Sequence, residues 1–137
     1  MSGQLLRLRV ITPSRSLLDR NDVSIVTAPG SEGELGILPR HIPLFTKLKE
    51  GVVMYRVGDK KFYIGVASAF MDVQDNIVTI LADDAILPEE ADKVRAEQMK
   101  KKAEDVMQKR LEGTNFQEVE AQMRKALLEL KLIEHIK

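Results

Sequence analysis

At 137 residues the chain can bury one modest core and a small appendage, which excludes a multidomain architecture. Its 21 lysines and arginines match its 21 aspartates and glutamates, so no global field attracts nucleic acid or an anionic membrane surface. Cysteine is absent, which excludes disulfides and thiolate chemistry and leaves stability to packing.

From Gln4 to Leu81 the apolar pattern is short and close to period two, as half-buried antiparallel strands require. Met1 to Arg9 alternates apolar and charged residues where a signal peptide would need a continuous apolar core. Leu6, Leu8, Val10 and Thr12 are expected to face one way, as are Val23, Ile25 and Thr27, and then Val52 with Met54. The run Gly33-Glu34-Leu35-Gly36-Ile37-Leu38-Pro39-Arg40-His41-Ile42-Pro43-Leu44 interrupts this pattern, and its glycines and prolines predict a rigid, shaped surface loop. Turns are expected at Gly58-Asp59, between Val57 and Lys61-Phe62-Tyr63-Ile64, and at Gln74-Asp75-Asn76, between Phe70–Val73 and Ile77–Leu81. Many short strands with tight turns imply an antiparallel β-sandwich over residues 1–86.

The period changes to that of a helix after Leu87, so residues 87–137 read as an antiparallel two-helix hairpin. The first helix is predicted from Pro88 to Leu111, roughly 36 Å long. Gly113 is expected to cap its end, and Asn115 with Glu118 to open the second helix. Phe116, Val119, Met123, Leu127, Leu130 and Ile133 give the second helix an apolar stripe. The first has a poorer stripe, so its docking is expected to be weak and the hairpin to exchange between folded-down and extended forms. No run approaches the roughly 18 apolar residues of a spanning helix, so membrane association without insertion, through a partner, is expected.

An enzyme is not expected. There are two histidines, His41 and His135, no nucleophile elbow and no phosphate loop, since Gly30 to Gly36 lacks the lysine and opens no helix. No metal-ligating pattern is present, and no cofactor is required. His41 lies between two prolines, where its imidazole can bond a loop carbonyl and hold the turn; alternatively Glu32, Glu34, Arg40 and His41 display a polar docking surface. Lys93, Arg95, Lys100, Lys101, Lys102, Lys109 and Arg110 outnumber the three acids between Lys93 and Arg110. They form either a solvated face or a cationic helix for an acidic partner.

The Gly33–Leu44 run, with Val10-Ile11-Thr12-Pro13 and Asn76-Ile77-Val78-Thr79-Ile80-Leu81-Ala82, resembles the epsilon subunit of F-type rotary ATP synthases. One departure is Ser68-Ala69-Phe70, where that family usually has Gly-Gly-Phe. The resemblance implies a non-catalytic central-stalk subunit that couples proton translocation to ATP synthesis. Its sandwich would bind the gamma subunit and rest on the rotor c-ring, with Glu34 and His41 at the ring-docking positions. Its hairpin would extend towards the catalytic alpha and beta subunits and restrain ATP hydrolysis, with basic residues meeting an acidic segment of beta.

Some members bind ATP on the retracted hairpin as a regulatory ligand. Asp92, Arg95 and Ala96 match their motif, Arg124 and Lys125 are candidate phosphate partners, Ala91 is smaller than the usual residue, and Ile86 stands near the place of a glutamate. Without ATP, Asp92 would serve the helix N-terminus and pair with Arg95. The implied location is peripheral, on the cytoplasmic face of a bacterial cell membrane or the stromal face of a thylakoid. The alternative to this family is a free-standing sandwich adaptor with a helical interaction hairpin.

Overall fold

Eight strands and a helical hairpin make up the chain in a computed structural model that describes residues 4–109, 113 and 115–136. The strands are β1 (Leu6–Ile11), β2 (Ser16–Val23), β3 (Ile25–Gly30), β4 (Gly33–Ile37), β5 (Leu44–Leu48), β6 (Gly51–Val57), β7 (Lys60–Gln74) and β8 (Ile77–Ile86). One layer runs β2-β1-β8-β7-β5 and the other β4-β3-β6-β7. Every pairing is antiparallel except β1 with β8, which is parallel, a feature that alternation alone does not reveal.

The segments Lys61–Val66 and Phe70–Val73, expected as separate strands, are one long strand, β7. It pairs with β6 over Lys60–Val66 and with β5 over Ala69–Val73, and so belongs to both layers. The turn comes at Ser68, whose φ of 52° interrupts the ladder between the Ala67–Asp84 and Ala69–Ala82 pairs. A left-handed backbone suits glycine, so serine holds this corner under strain.

Leu6, Leu8, Val10 and Thr12 point into the core as expected, and Val23 joins them. The phases of two later strands are opposite to expectation. On β3 it is Val26 and Ala28 that are buried, because Ser24 breaks the chain between β2 and β3 and resets the alternation. On β6 the core residues are Val53 and Tyr55, while Val52 and Met54 are half-buried on the other face. That face is covered too. Val52 lies opposite Gly65, over which Leu128 packs, and Met54 lies opposite Tyr63, whose ring is 6.0 Å from that of His135. A strand covered on both faces is apolar on both, and its alternation loses its sign.

The shaped run also divides differently. Gly33–Ile37 is strand β4, paired with Val26–Gly30, and only Leu38–Pro43 is loop. A Cβ at Gly30 would meet the Gly33 carbonyl at 2.6 Å, which explains a glycine at that close approach.

The first helix starts later than predicted. Pro88–Glu90 forms a 3-10 turn, Ala91 is extended, and α1 runs Lys93–Lys109. Asp92 accounts for the break: its carboxylate accepts the Arg95 backbone N–H at 3.1 Å, the bond an N-cap makes. The predicted end at Leu111 lies outside the described residues. Helix α2 runs Phe116–Ile136, and Asn115 caps it as expected, accepting from the Glu118 N–H at 3.2 Å. Its buried residues are Ala126, Leu128, Glu129 and Leu132, whereas Phe116 and Leu127 of the predicted stripe are exposed. The stripe is displaced because α2 serves two neighbours, α1 on one side and β6 with β7 on the other. Among the described helices, none is long and apolar enough to cross a membrane.

Candidate functional site

Three surfaces carry the residues singled out from the sequence. The first is the Leu38–Pro43 loop. Arg40 has φ 70°; its backbone N–H donates to Asn76 Oδ1 at 2.6 Å, and its Nε donates to Gln4 Oε1 at 2.8 Å. The His41 N–H donates to the Leu38 carbonyl at 3.2 Å, and its Nδ1–H to the Ile42 carbonyl at 2.7 Å. The imidazole therefore bonds a loop carbonyl, as read from its place between two prolines. Sequence gives Asn76 a place in the turn before β8 and in the run up to Ala82, but not the role its amide oxygen plays in organising this loop. With Asp75 it has positive φ, the backbone of a two-residue hairpin turn, and its carbonyl accepts the Arg7 N–H at 2.8 Å. So secured, the loop presents Ile42 75% exposed and Leu38 56% exposed.

Glu32 and Glu34 do not join Arg40 and His41 in a cluster. Glu32 is in the turn before β4 and Glu34 in the strand's first half, so five residues of strand, roughly 16 Å, lie between Glu32 and the loop. The Glu32 turn is held instead by β5, through the Ser31 N–H and the Lys47 carbonyl at 3.2 Å.

The second surface is apolar. Phe45, Phe70 and Leu81 are 66%, 43% and 48% exposed, on β5, β7 and β8. Phe70 lies opposite Leu81 in the ladder, and the Phe45 and Phe70 rings stack at 5.7 Å with 7° between their planes. The flanking Ala69 and Met71 are fully buried, so alternation itself turns Phe70 outward. The sequence carried that signal: once Met71 faces in, Phe70 has to face out.

The third is a cleft of about 570 Å³ between β8 and the hairpin, lined by Arg15, Asp84, Glu90, Arg95, Lys125 and Glu129, with Ile86 and Leu128 at its apolar wall. Arg15 is presented by a turn in which the Thr12 and Arg15 backbones exchange hydrogen bonds of 2.9 and 3.3 Å. Its guanidinium reaches Glu90 at 2.6 and 2.8 Å. The Glu90 carboxyl is held below its ordinary range, first because it accepts the Leu87 N–H and then because of Arg15. Arg95 Nη2 donates to Glu129 Oε1 at 2.5 Å and to the Glu90 carbonyl at 3.0 Å, and the Glu129 bond raises the Arg95 pKa. Lys125 stands 3.8 Å from Asp84.

Of the residues expected to meet a nucleotide, Arg95 and Lys125 line this cleft. Asp92 caps α1, Ala96 is fully buried, and Arg124 is exposed and outside the lining. The three cations of the cleft each face a carboxylate of this chain, so a polyphosphate there would compete with those carboxylates for them. Among the described residues, no group of three or more His, Asp and Glu is placed to hold a metal ion.

The basic helix resolves into parts. Lys101, Lys102 and Lys109 share one exposed face with Gln98 and Asp105, and Lys93 is exposed at the helix start. Lys100 is half-buried, 4.0 Å from Glu104, and Arg110 lies outside the described residues.

A family model described as the beta-sandwich domain of the ATP synthase delta/epsilon chain matches residues 5–88. An ATP synthase epsilon chain from Pelotomaculum thermopropionicum is 44% identical over 110 residues, covering 80% of this chain and 81% of that one. One from Dehalococcoides mccartyi is 39% identical over 130 residues, covering 94% and 92%. Among solved structures, a chain of the Euglena gracilis mitochondrial ATP synthase OSCP/F1/c-ring assembly superposes with a TM-score of 0.63 at 23% identity, covering 98% of this chain and 79% of that one. A chain of the Tetrahymena thermophila mitochondrial ATP synthase central stalk/c-ring superposes with a TM-score of 0.60 at 19% identity over the whole of both, so both structures speak to the fold. The fold, the match over the sandwich and the identity along nearly the whole chain agree: the chain belongs to the ATP synthase delta/epsilon family.

Proposed function

We propose that this chain is a non-catalytic central-stalk subunit of an ATP synthase, binding gamma through the Phe45–Phe70–Leu81 strip and meeting the rotor c-ring with the Leu38–Pro43 loop. The observation that carries this reading is the strip. Two of the sandwich's three phenylalanines, Phe45 and Phe70, are turned to solvent beside smaller apolar residues that are completely buried, and such a patch is the kind a partner covers. The loop supports the second contact: Asn76 and Gln4 fix its backbone and its arginine, leaving Ile42 and Leu38 to touch a neighbour. In this role the chain transmits rotation that links proton translocation to ATP synthesis, the chemistry residing in other subunits.

The hairpin is the regulatory element of this proposal, extending to the alpha and beta subunits and restraining hydrolysis with Lys101, Lys102 and Lys109 towards an acidic partner surface. The protein is peripheral, on the cytoplasmic face of a bacterial membrane. ATP hydrolysis by an alpha, beta and gamma assembly tests this, with the full chain added and then with a version ending at Leu87. Inhibition by the full chain alone supports the proposal in full. Binding of both without inhibition removes the regulatory role, and binding of neither leaves the free-standing adaptor.

A further inference from the structure

The cleft beneath the hairpin is neutralised by the chain itself, and each pair in it joins two different elements. Arg15 of the β1–β2 turn meets Glu90 of the 3-10 turn, Arg95 of α1 meets Glu129 of α2, and Lys125 of α2 faces Asp84 of β8. Because Arg95 also donates to the Glu90 carbonyl, one uninterrupted line of polar contacts runs from α2 through α1 and the 3-10 turn to the sandwich. Glu129 is its inner end. Only 4% exposed, it accepts the Arg95 guanidinium and, at 3.3 Å, the Asp92 N–H.

A buried carboxylate is stable only while its donors stay in place. A polyphosphate entering the cleft would have to take Arg95 from Glu129, stranding that charge, and would meet Asp84 and Glu90 as like charges. The hairpin meets the sandwich through an apolar contact, with Leu128 seated over Gly65 and Leu132 fully buried, and these ion pairs add a charge-dependent part to it. We propose that Glu129, Glu90 and Asp84 are a built-in counter-anion set that latches the hairpin onto the sandwich and closes the cleft to polyphosphate. Hairpin docking in this chain then answers to ionic strength rather than to nucleotide. The latch rests on the mobile-hairpin reading above; the exclusion of polyphosphate does not.

The absence of cysteine allows spin labels to be placed cleanly at Asp59→Cys and Gln108→Cys, two exposed positions outside the cleft, on the sandwich and on α1. Their separation is measured by pulsed EPR in the full chain at about 0.01 M and about 1 M NaCl, where the Debye length falls from roughly 30 to 3 Å. Each sample is taken with and without MgATP, and calorimetric titration of the unlabelled chain with millimolar MgATP is run alongside. The docked separation is expected to dominate at low salt, to lose population at high salt, and to be indifferent to MgATP, with no binding heat. Glu129→Gln should lower the docked-to-open ratio at low salt about tenfold, as loss of a charged hydrogen-bond partner does. Arg15→Gln, an exposed substitution that leaves the core untouched, should act in the same direction. Binding heat, or a docked population that MgATP increases, overturns the exclusion. A docked population that coexists with an open one in a ratio indifferent to salt and to both substitutions overturns the latch. These failures are distinguishable from that of the mobile-hairpin reading, in which a single separation persists in every sample while the titration still shows no heat.

Discussion

Ser68 and Asn76 share a left-handed backbone and differ in what it costs them. Asn76 sits in a turn that demands positive φ, and its side chain makes a bond that only this geometry allows. Among the described residues the Ser68 side chain makes no hydrogen bond, yet Ser68 adopts φ 52° where the ladder bends. Ser68→Gly should therefore raise stability by about 0.5–1 kcal/mol after glycine's extra chain entropy is subtracted, seen as a small rise in Tm. Asn76→Gly keeps the turn but removes the acceptor for the Arg40 N–H. It should cost about 1 kcal/mol and speed hydrogen exchange at Arg40 and His41, while the core amides of β1 and β8 stay protected. Local chemistry of this kind was largely legible in the sequence: the His41 carbonyl bond and the Asn115 cap depend on near neighbours. The Asn76 bond to Arg40 was not, because it spans 36 residues and follows from register.

For the elements, the period separates strands from helices, and structure departs from pattern where an element has two neighbours. β6 and α2 are both covered on two sides, so the residues that alternation or a heptad would turn outward are claimed by a second contact. α1 starts later than the sequence predicts because Pro88 and its acidic neighbours make a 3-10 turn of their own, whereas Asp92 caps the helix. The docking of the hairpin can be probed at its closest approach. Gly65→Ala would place a Cβ 2.9 Å from Ile86 Cγ2 and 3.2 Å from Leu128 Cγ. It is expected to weaken docking by about 1–3 kcal/mol, read as faster exchange in α1 and α2. A second probe is acidity. The Glu90 carboxyl has a folded pKa below its ordinary value of 4.5, so its contribution is full above that value and disappears as pH falls through the folded one. The Tm advantage of the native chain over Glu90→Gln should accordingly be constant from neutral pH down to about 5 and vanish in stronger acid.

At the scale of the molecule, the sequence disclosed a sandwich with a hairpin, and it disclosed the family through motifs that lie far apart in the chain. It did not disclose the faces. Glu32 and Arg40 are close in sequence and separated by a strand, while Phe45, Phe70 and Leu81 are scattered in sequence and adjacent in space. Phe45→Ser with Phe70→Ser should weaken binding to a gamma-containing assembly at least about tenfold while leaving Tm nearly unchanged, since neither ring belongs to the buried core. A calorimetric or surface-capture titration against that assembly reads the first effect and a melting curve the second.

The long strand β7 has a mechanical consequence. Tyr63 and Gly65 lie under the hairpin, Phe70 stands in the apolar strip, and Gln74 leads into the turn that holds Arg40. One covalent spar thus underlies all three surfaces, with its single weak joint at Ser68. A sideways load on the strip reaches the loop through peptide bonds, ladder hydrogen bonds and the Asn76 amide, without passing through apolar packing. Between the strip and the hairpin that load has to cross the joint, which is where such a spar yields first.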